Sequence, residues 1–199
     1  MRPDAGCGVP TARVVYHVGL MIDPVIGALL AGSFALLFAG AALHKLLDPA
    51  RFHAAFTAYG VLPPALARLS AVVPLLELTV AAGLLVHGSR VGATAAGAAL
   101  LVSYAAAIAV NLGRGRRDLA CGCGGPNDRR PIAAWMVWRN LCLVPLLGVS
   151  VLPHSARGLQ PADALTIGAG TAVVALLYMS LDHLLGRIQP RAVLLRSAP

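Results

Sequence analysis

Apolar residues run through this chain in long, nearly unbroken stretches, not in the alternation of a half-buried strand or the narrow stripe of a surface helix. A helix rises 1.5 Å per residue, so about 20 apolar residues are needed to cross a hydrocarbon layer about 30 Å thick. Five stretches reach about that length: residues 24–47, with His44 and Lys45 near the end; 69–87, with Glu77 near the middle; 91–112; 132–152, around Arg139 and Asn140; and 164–185. The pattern predicts an all-α protein, a multi-pass transmembrane helical bundle of five spans.

Between the first two stretches, "DPARFHAAFTAYGVLPPALAR" places Phe52, Phe56 and Tyr59 near helical spacing before Pro63 and Pro64. Proline lacks the amide hydrogen and clashes with the preceding turn, so an interfacial helix and an elbow ended by the prolines are expected here. Residues 1–23 are expected to form a tail. Val14 to Ile22 is too short to span and is broken by His17, no cleavage site follows it, and Met21 before Asp23-Pro24 would make a natural start. Cys7 in that tail is read as a bystander.

Composition names the solvent. Of 199 residues 58% are hydrophobic and only 12% charged, and mean hydropathy is +0.76, far from a soluble domain. The net charge of +8 is explained by loop placement and does not call for nucleic acid. Eleven basic residues (Lys45, Arg51, Arg68, Arg114, Arg116, Arg117, Arg129, Arg130, Arg187, Arg191 and Arg196) fall on one side of the spans, against Arg2, Arg13, Arg90 and Arg157 on the other. The positive-inside rule then puts the loop between the third and fourth spans in the cytoplasm of a cell (inner) membrane protein.

Spans two and four start at that loop face, and spans one, three and five end there. Glu77 lies about eight residues into its span and Arg139 about seven into its own, so both sit roughly 10 to 12 Å deep in one leaflet. A charge at a helix centre costs about 2.5–3.5 kcal/mol on insertion scales, so the two are expected to face inward and to pair. His44, Lys45, Asn111, Asp182 and His183 fall at the same end of their spans.

The loop itself carries "ACGCGG", Ala120 to Gly125, among Arg114, Arg116, Arg117, Arg129 and Arg130. A disulfide between residues i and i+2 needs a bent middle residue, which Gly122 allows, and such a bond is strained and easily reduced. Neighbouring arginines favour the thiolate. Cys121 and Cys123 are therefore the candidate reactive pair, for disulfide exchange or for capture of a soft ion such as copper(I). No zinc site is expected, since four ligands are usual and the loop offers two; no other cofactor is called for. Cys142, one turn beyond Arg139 and Trp138, reads as a small hydrophobe. Trp135 and Trp138 read as interfacial anchors, His53, His87 and His154 as span-end residues, Pro74 and Pro145 as kinks, and Gly92, Ala96 and Gly97 as close-packing positions. No hydrolase constellation is present.

"HKLLDPARF", "YGVLP", "PLLEL", "NLGRGRRDLACGCGG" and "WRNL", taken together over residues 24–152, resemble the methylamine utilisation protein MauE family, related to the DoxX-like membrane proteins. The resemblance implies a four-helix membrane domain over 24–152, followed here by a fifth transmembrane helix within 153–186 and a basic tail, 187–199. It also implies thiol-disulfide chemistry: help to a thioredoxin-like, MauD-like partner in maturing an exported, disulfide-rich client such as the small subunit of methylamine dehydrogenase. Lys45, Glu77, Cys121, Cys123, Arg139 and Asn140 match family positions, with Asn111 beside them in the polar cluster. A soft-metal or solute transporter and a non-catalytic assembly scaffold are the alternatives. A client folded outside and thiols inside would require electrons to be relayed across the membrane.

Overall fold

The computed structural model describes residues 21–61, 63–119, 131–155 and 157–196, with backbone only at 64 and 186–196. Cys7, Cys121 and Cys123 lie outside the described residues.

The helices are α1 (Pro24–Leu47), α2 (Pro49–Tyr59), α3 (Val72–Leu85), α4 (Arg90–Gly113), α5 (Ala134–Val149) and α6 (Pro161–Arg196), with a 3-10 helix, Pro64–Ala71, leading into α3. Two aspartates set the first boundaries. The Asp23 carboxylate accepts the Val25 amide at 2.9 Å, that of Asp48 accepts the Arg51 amide at 3.1 Å, and each is followed by proline at the first helical position. The short helix expected after the first span forms, but it stops at Tyr59, ahead of the prolines. Gly60 adopts a left-handed conformation (φ 57°) and its N–H donates to the Thr57 carbonyl.

α1, α3, α4 and α5 close a four-helix ring in which each packs on its neighbours, and α6 lies outside it against α1. Phe34, Phe38, Val80, Leu84, Leu101 and Leu147 fill the centre. Gly97 lets α4 approach closely: a methyl group there would come within 3.1 Å of both Leu147 and Phe38. Gly92 and Ala96, the other expected packing positions, are exposed. On the outer seam, a methyl on Gly170 of α6 would stand 2.5 Å from Leu29. Leu165, Val91, Leu176 and many other large apolar side chains point outward, as a lipid-facing surface requires.

Four helical segments are long and apolar enough to cross a membrane: Pro24–Leu47, Ala65–Leu85, His87–Gly113 and Pro161–Leu185. The expected span at 132–152 holds only the 16-residue α5. Ile132 is taken out of the helix by a backbone hydrogen bond to Leu119 (2.9 Å), and the chain turns at Ser150, whose hydroxyl donates to the Leu147 carbonyl. α5 nevertheless traverses the bundle. Its start lies against Ile108 and Leu119, and the chain just beyond its end is bonded to the start of α1, the Ile22 amide donating to Pro153 and the Ser155 amide to Ile22. One face of the bundle therefore carries the starts of α1 and α6, and the other carries the two ends of the 120–130 loop.

Candidate functional site

At the loop face four of the five crossing helices contribute charge, and each charge sits where a lone one would be costly. Lys45, in the last turn of α1, and Glu77, in α3, are almost fully buried, at 4% and 0% exposure. Their side chains form an ion pair at 2.5 Å. The same Glu77 oxygen accepts the Tyr104 hydroxyl of α4 at 2.7 Å, and the Lys45 ammonium stands 5.4 Å from the ring centres of both Phe52 and Tyr104. The ammonium thus has a carboxylate and two aromatic faces as its surroundings in place of water.

Arg139 of α5 reaches Asp182 of α6 at 2.6 Å, and its guanidinium lies over Trp135 (5.3 Å) and Tyr178 (6.0 Å). Glu77 and Arg139 therefore do not form the expected pair. They share a depth and a cavity, but Glu77 turns to α1, on which α3 packs, whereas Arg139 turns across the bundle surface to α6.

The cavity, about 480 Å³, lies between α1, α5 and α6, with Glu77, Leu101 and Tyr104 behind it. Lys45, Glu77, Tyr104, Arg139, Asn140, Tyr178 and Asp182 are polar groups of its wall, with His44 and His183; Leu30, Leu37, Phe38, Leu143, Leu146 and Val174 are apolar ones. The second carboxylate oxygen of Glu77 and the amide nitrogen of Asn140 are buried polar atoms on this wall without a hydrogen-bond partner among the described residues. Buried polar groups are almost always satisfied, so these two are open to a further partner, whether water or a ligand.

The other sequence candidates fall elsewhere. Asn111 is buried but outside the cavity; its amide nitrogen donates to the Ala107 carbonyl and its oxygen accepts from Arg116, tying the start of the loop to α4. Cys142 is exposed and does not line the cavity. No group of three or more potential metal ligands occurs among the described residues. Tyr104 and Tyr178 went unnoticed in the sequence, although spacing marks them. Tyr104 precedes Asn111 by two turns, and Tyr178 precedes Asp182 by four residues.

The loop ends are anchored beside the cavity. Leu119 and Ile132 pack with Ile108 and Met136, and Met136 also lines the cavity. Arg116 donates to the Ala58 carbonyl at 2.7 Å and holds the loop entrance against α2.

Residues 23–153 match the family model described as methylamine utilisation protein MauE. The chain is 37% identical over 169 residues to methylamine utilization protein MauE of Paracoccus denitrificans, covering 83% of this chain and 90% of that one. It is 36% identical over 167 residues to the protein of that name from Methylophilus methylotrophus (82% and 88%), and 39% identical over 166 residues to that of Paracoccus versutus (82% and 89%). No solved structure matches the chain. The chain belongs to the MauE family.

Proposed function

We propose, from its place in the MauE family, that this multi-pass membrane protein serves methylamine utilisation as a thiol-disulfide redox protein that helps an exported protein acquire its disulfides. Cys121 and Cys123 cycle between dithiol and disulfide, a thioredoxin-like protein exchanges with them, and a disulfide-rich client such as the methylamine dehydrogenase small subunit receives the oxidising equivalents. The observation that carries this reading is the anchoring of the loop. Leu119 and Ile132, on either side of the segment that carries the two thiols, are hydrogen-bonded to each other and seated on the core beside the charged cavity. The positive-inside count favours a cytoplasmic position for that end, and the Lys45–Glu77 and Arg139–Asp182 pairs gather at the same end.

Serine at Cys121 or at Cys123 is expected to abolish client maturation, with one of the two single variants trapping a mixed disulfide with the thioredoxin-like protein on non-reducing gels. Cys142→Ser is expected to leave maturation intact, since Cys142 faces outward. Full maturation with both loop cysteines replaced would refute the reading.

A further inference from the structure

The cavity between α1, α5 and α6 has the features of a ligand site for something lipid-soluble. Leu36 of α1, Leu146 of α5, and Val174 and Met179 of α6 line it and are themselves 39% to 59% exposed, so it opens sideways toward lipid and not only toward water. Its lysine and arginine charges are matched, Lys45 by Glu77 and Arg139 by Asp182, so among the described residues of the wall no further lysine or arginine is left for a phosphate or carboxylate head. Among the buried groups open within it are an acceptor, the second oxygen of Glu77 (0% exposed), and an uncharged donor, the amide of Asn140 (3% exposed). An uncharged head that both accepts and donates hydrogen bonds satisfies both, and about 480 Å³ holds a substituted ring with the start of a tail.

We propose that this cavity binds a lipid-soluble molecule of the quinone and quinol class, with the ring at the Glu77 and Asn140 end and the tail leaving past Leu36, Leu146 and Val174. The choice of quinone among neutral lipids rests on the thiol-disulfide reading, because closing the Cys121–Cys123 bond requires a two-electron acceptor. Two S–H bonds break, one S–S bond forms, and the two electrons and two protons pass to the quinone, whose two carbonyls become the hydroxyls of the quinol. A quinone carbonyl accepts from the Asn140 amide; a quinol hydroxyl donates to Glu77.

The test uses the full-length protein in lipid nanodiscs, with a short-tailed radiolabelled benzoquinone as the probe. Saturable, one-to-one binding is expected, weakened about tenfold by Asn140→Leu, the loss of one hydrogen bond to a buried group. Val174→Trp, which fills the mouth without touching either ion pair, is expected to abolish binding and covers the case in which Asn140→Leu fails to fold. The Cys121→Ser, Cys123→Ser double variant is expected to bind the quinone as the parent does and to lose its reduction by reduced thioredoxin-like protein. Unaltered reduction by that variant would sink the thiol relay while leaving the site standing. Non-saturable binding, or binding indifferent to both Asn140→Leu and Val174→Trp, would overturn the site, its polar end holding water only. Equal displacement of the probe by a long-chain alcohol or diacylglycerol would overturn the quinone class.

Discussion

Two ion pairs line one cavity at one depth, and their surroundings differ sharply. Lys45 and Glu77 have side chains 3% and 0% exposed, inside the four-helix ring; Arg139 and Asp182, at 19% and 17%, bridge the ring to a helix outside it. The inner pair is locked among α1, α3 and α4 with aromatic faces around the ammonium. The outer pair closes the gap between α5 and α6, where α6 otherwise leans on α1. For α6 only 6% of the apolar span is buried inside the protein, against 39% for α1. Similar chemistry at similar depth thus serves two purposes: the inner pair fixes the ring, and the outer pair ties the cavity wall formed by α6 to the ring.

The largest effect expected from this contrast is at Glu77. Glu77→Ala leaves the Lys45 ammonium buried without its carboxylate, a loss of about 3–5 kcal/mol, enough to unfold a marginal protein. Accumulation in the membrane should collapse. Replacing the whole inner group (Lys45→Met, Glu77→Leu, Tyr104→Phe) should restore accumulation, because a well-packed apolar substitute is close to neutral. If the pair only fixes the ring, the triple variant works; if Glu77 also serves the ligand, it accumulates but is inactive. Exchanging Glu77 with Arg139 should rescue nothing. Recovery in that swap would show that the two pair after all.

At the outer pair the expected loss is smaller. Asp182→Asn keeps a hydrogen-bonding partner for Arg139 in a half-open setting and should cost about 1–2 kcal/mol, visible as a lower unfolding temperature in detergent and not as loss of the protein. Protease sensitivity should rise first in α6. A drop as deep as that of Glu77→Ala would erase the distinction between core and wall.

Hydrophobic run length was enough to read the helical bundle, the short helix after the first span and the end of the bundle at which the polar groups gather. It misplaced the pairing because depth along a helix says nothing about rotation around it. Glu77 and Arg139 are level, but partner choice depends on which helices adjoin, and that depends on packing features such as the Gly97 contact, whose effect appears only when Phe38 and Leu147 are in place. The shortness of α5 was hidden for a related reason. Residues 132–152 are apolar enough to span, yet a single backbone bond from Ile132 to Leu119 draws the start of the stretch into the loop. In α6 the helix runs on past Leu185 to Arg196, through what the charge pattern had marked off as a basic tail.

The smallest effect is expected at the opposite face, where Arg157 joins Asp23 (3.1 Å) and Asp163 (3.0 Å) in water. These groups tie the entry of α1 to the entry of α6, much as the outer pair ties α5 to α6. Being solvent-exposed, however, they exchange water for each other at little net gain. The Arg157 hydrogen bond, with help from the Val25 amide, holds the Asp23 carboxyl below its usual range, and the two aspartates raise the guanidinium above its own. For Asp23, lowered in the folded state, any stabilisation is present above the unfolded aspartate value of about 3.9 and is lost as pH falls through the folded value. Arg157 stays charged throughout that window and contributes nothing to the slope. Arg157→Ala should therefore leave accumulation and unfolding temperature at neutral pH nearly unchanged and should flatten the acid limb of the stability curve, since Asp23 then titrates closer to its unfolded value. A neutral-pH loss comparable to that of Asp182→Asn would mean that the entry of α6 is held by this cluster, and that the wall of the cavity is fixed from its far end.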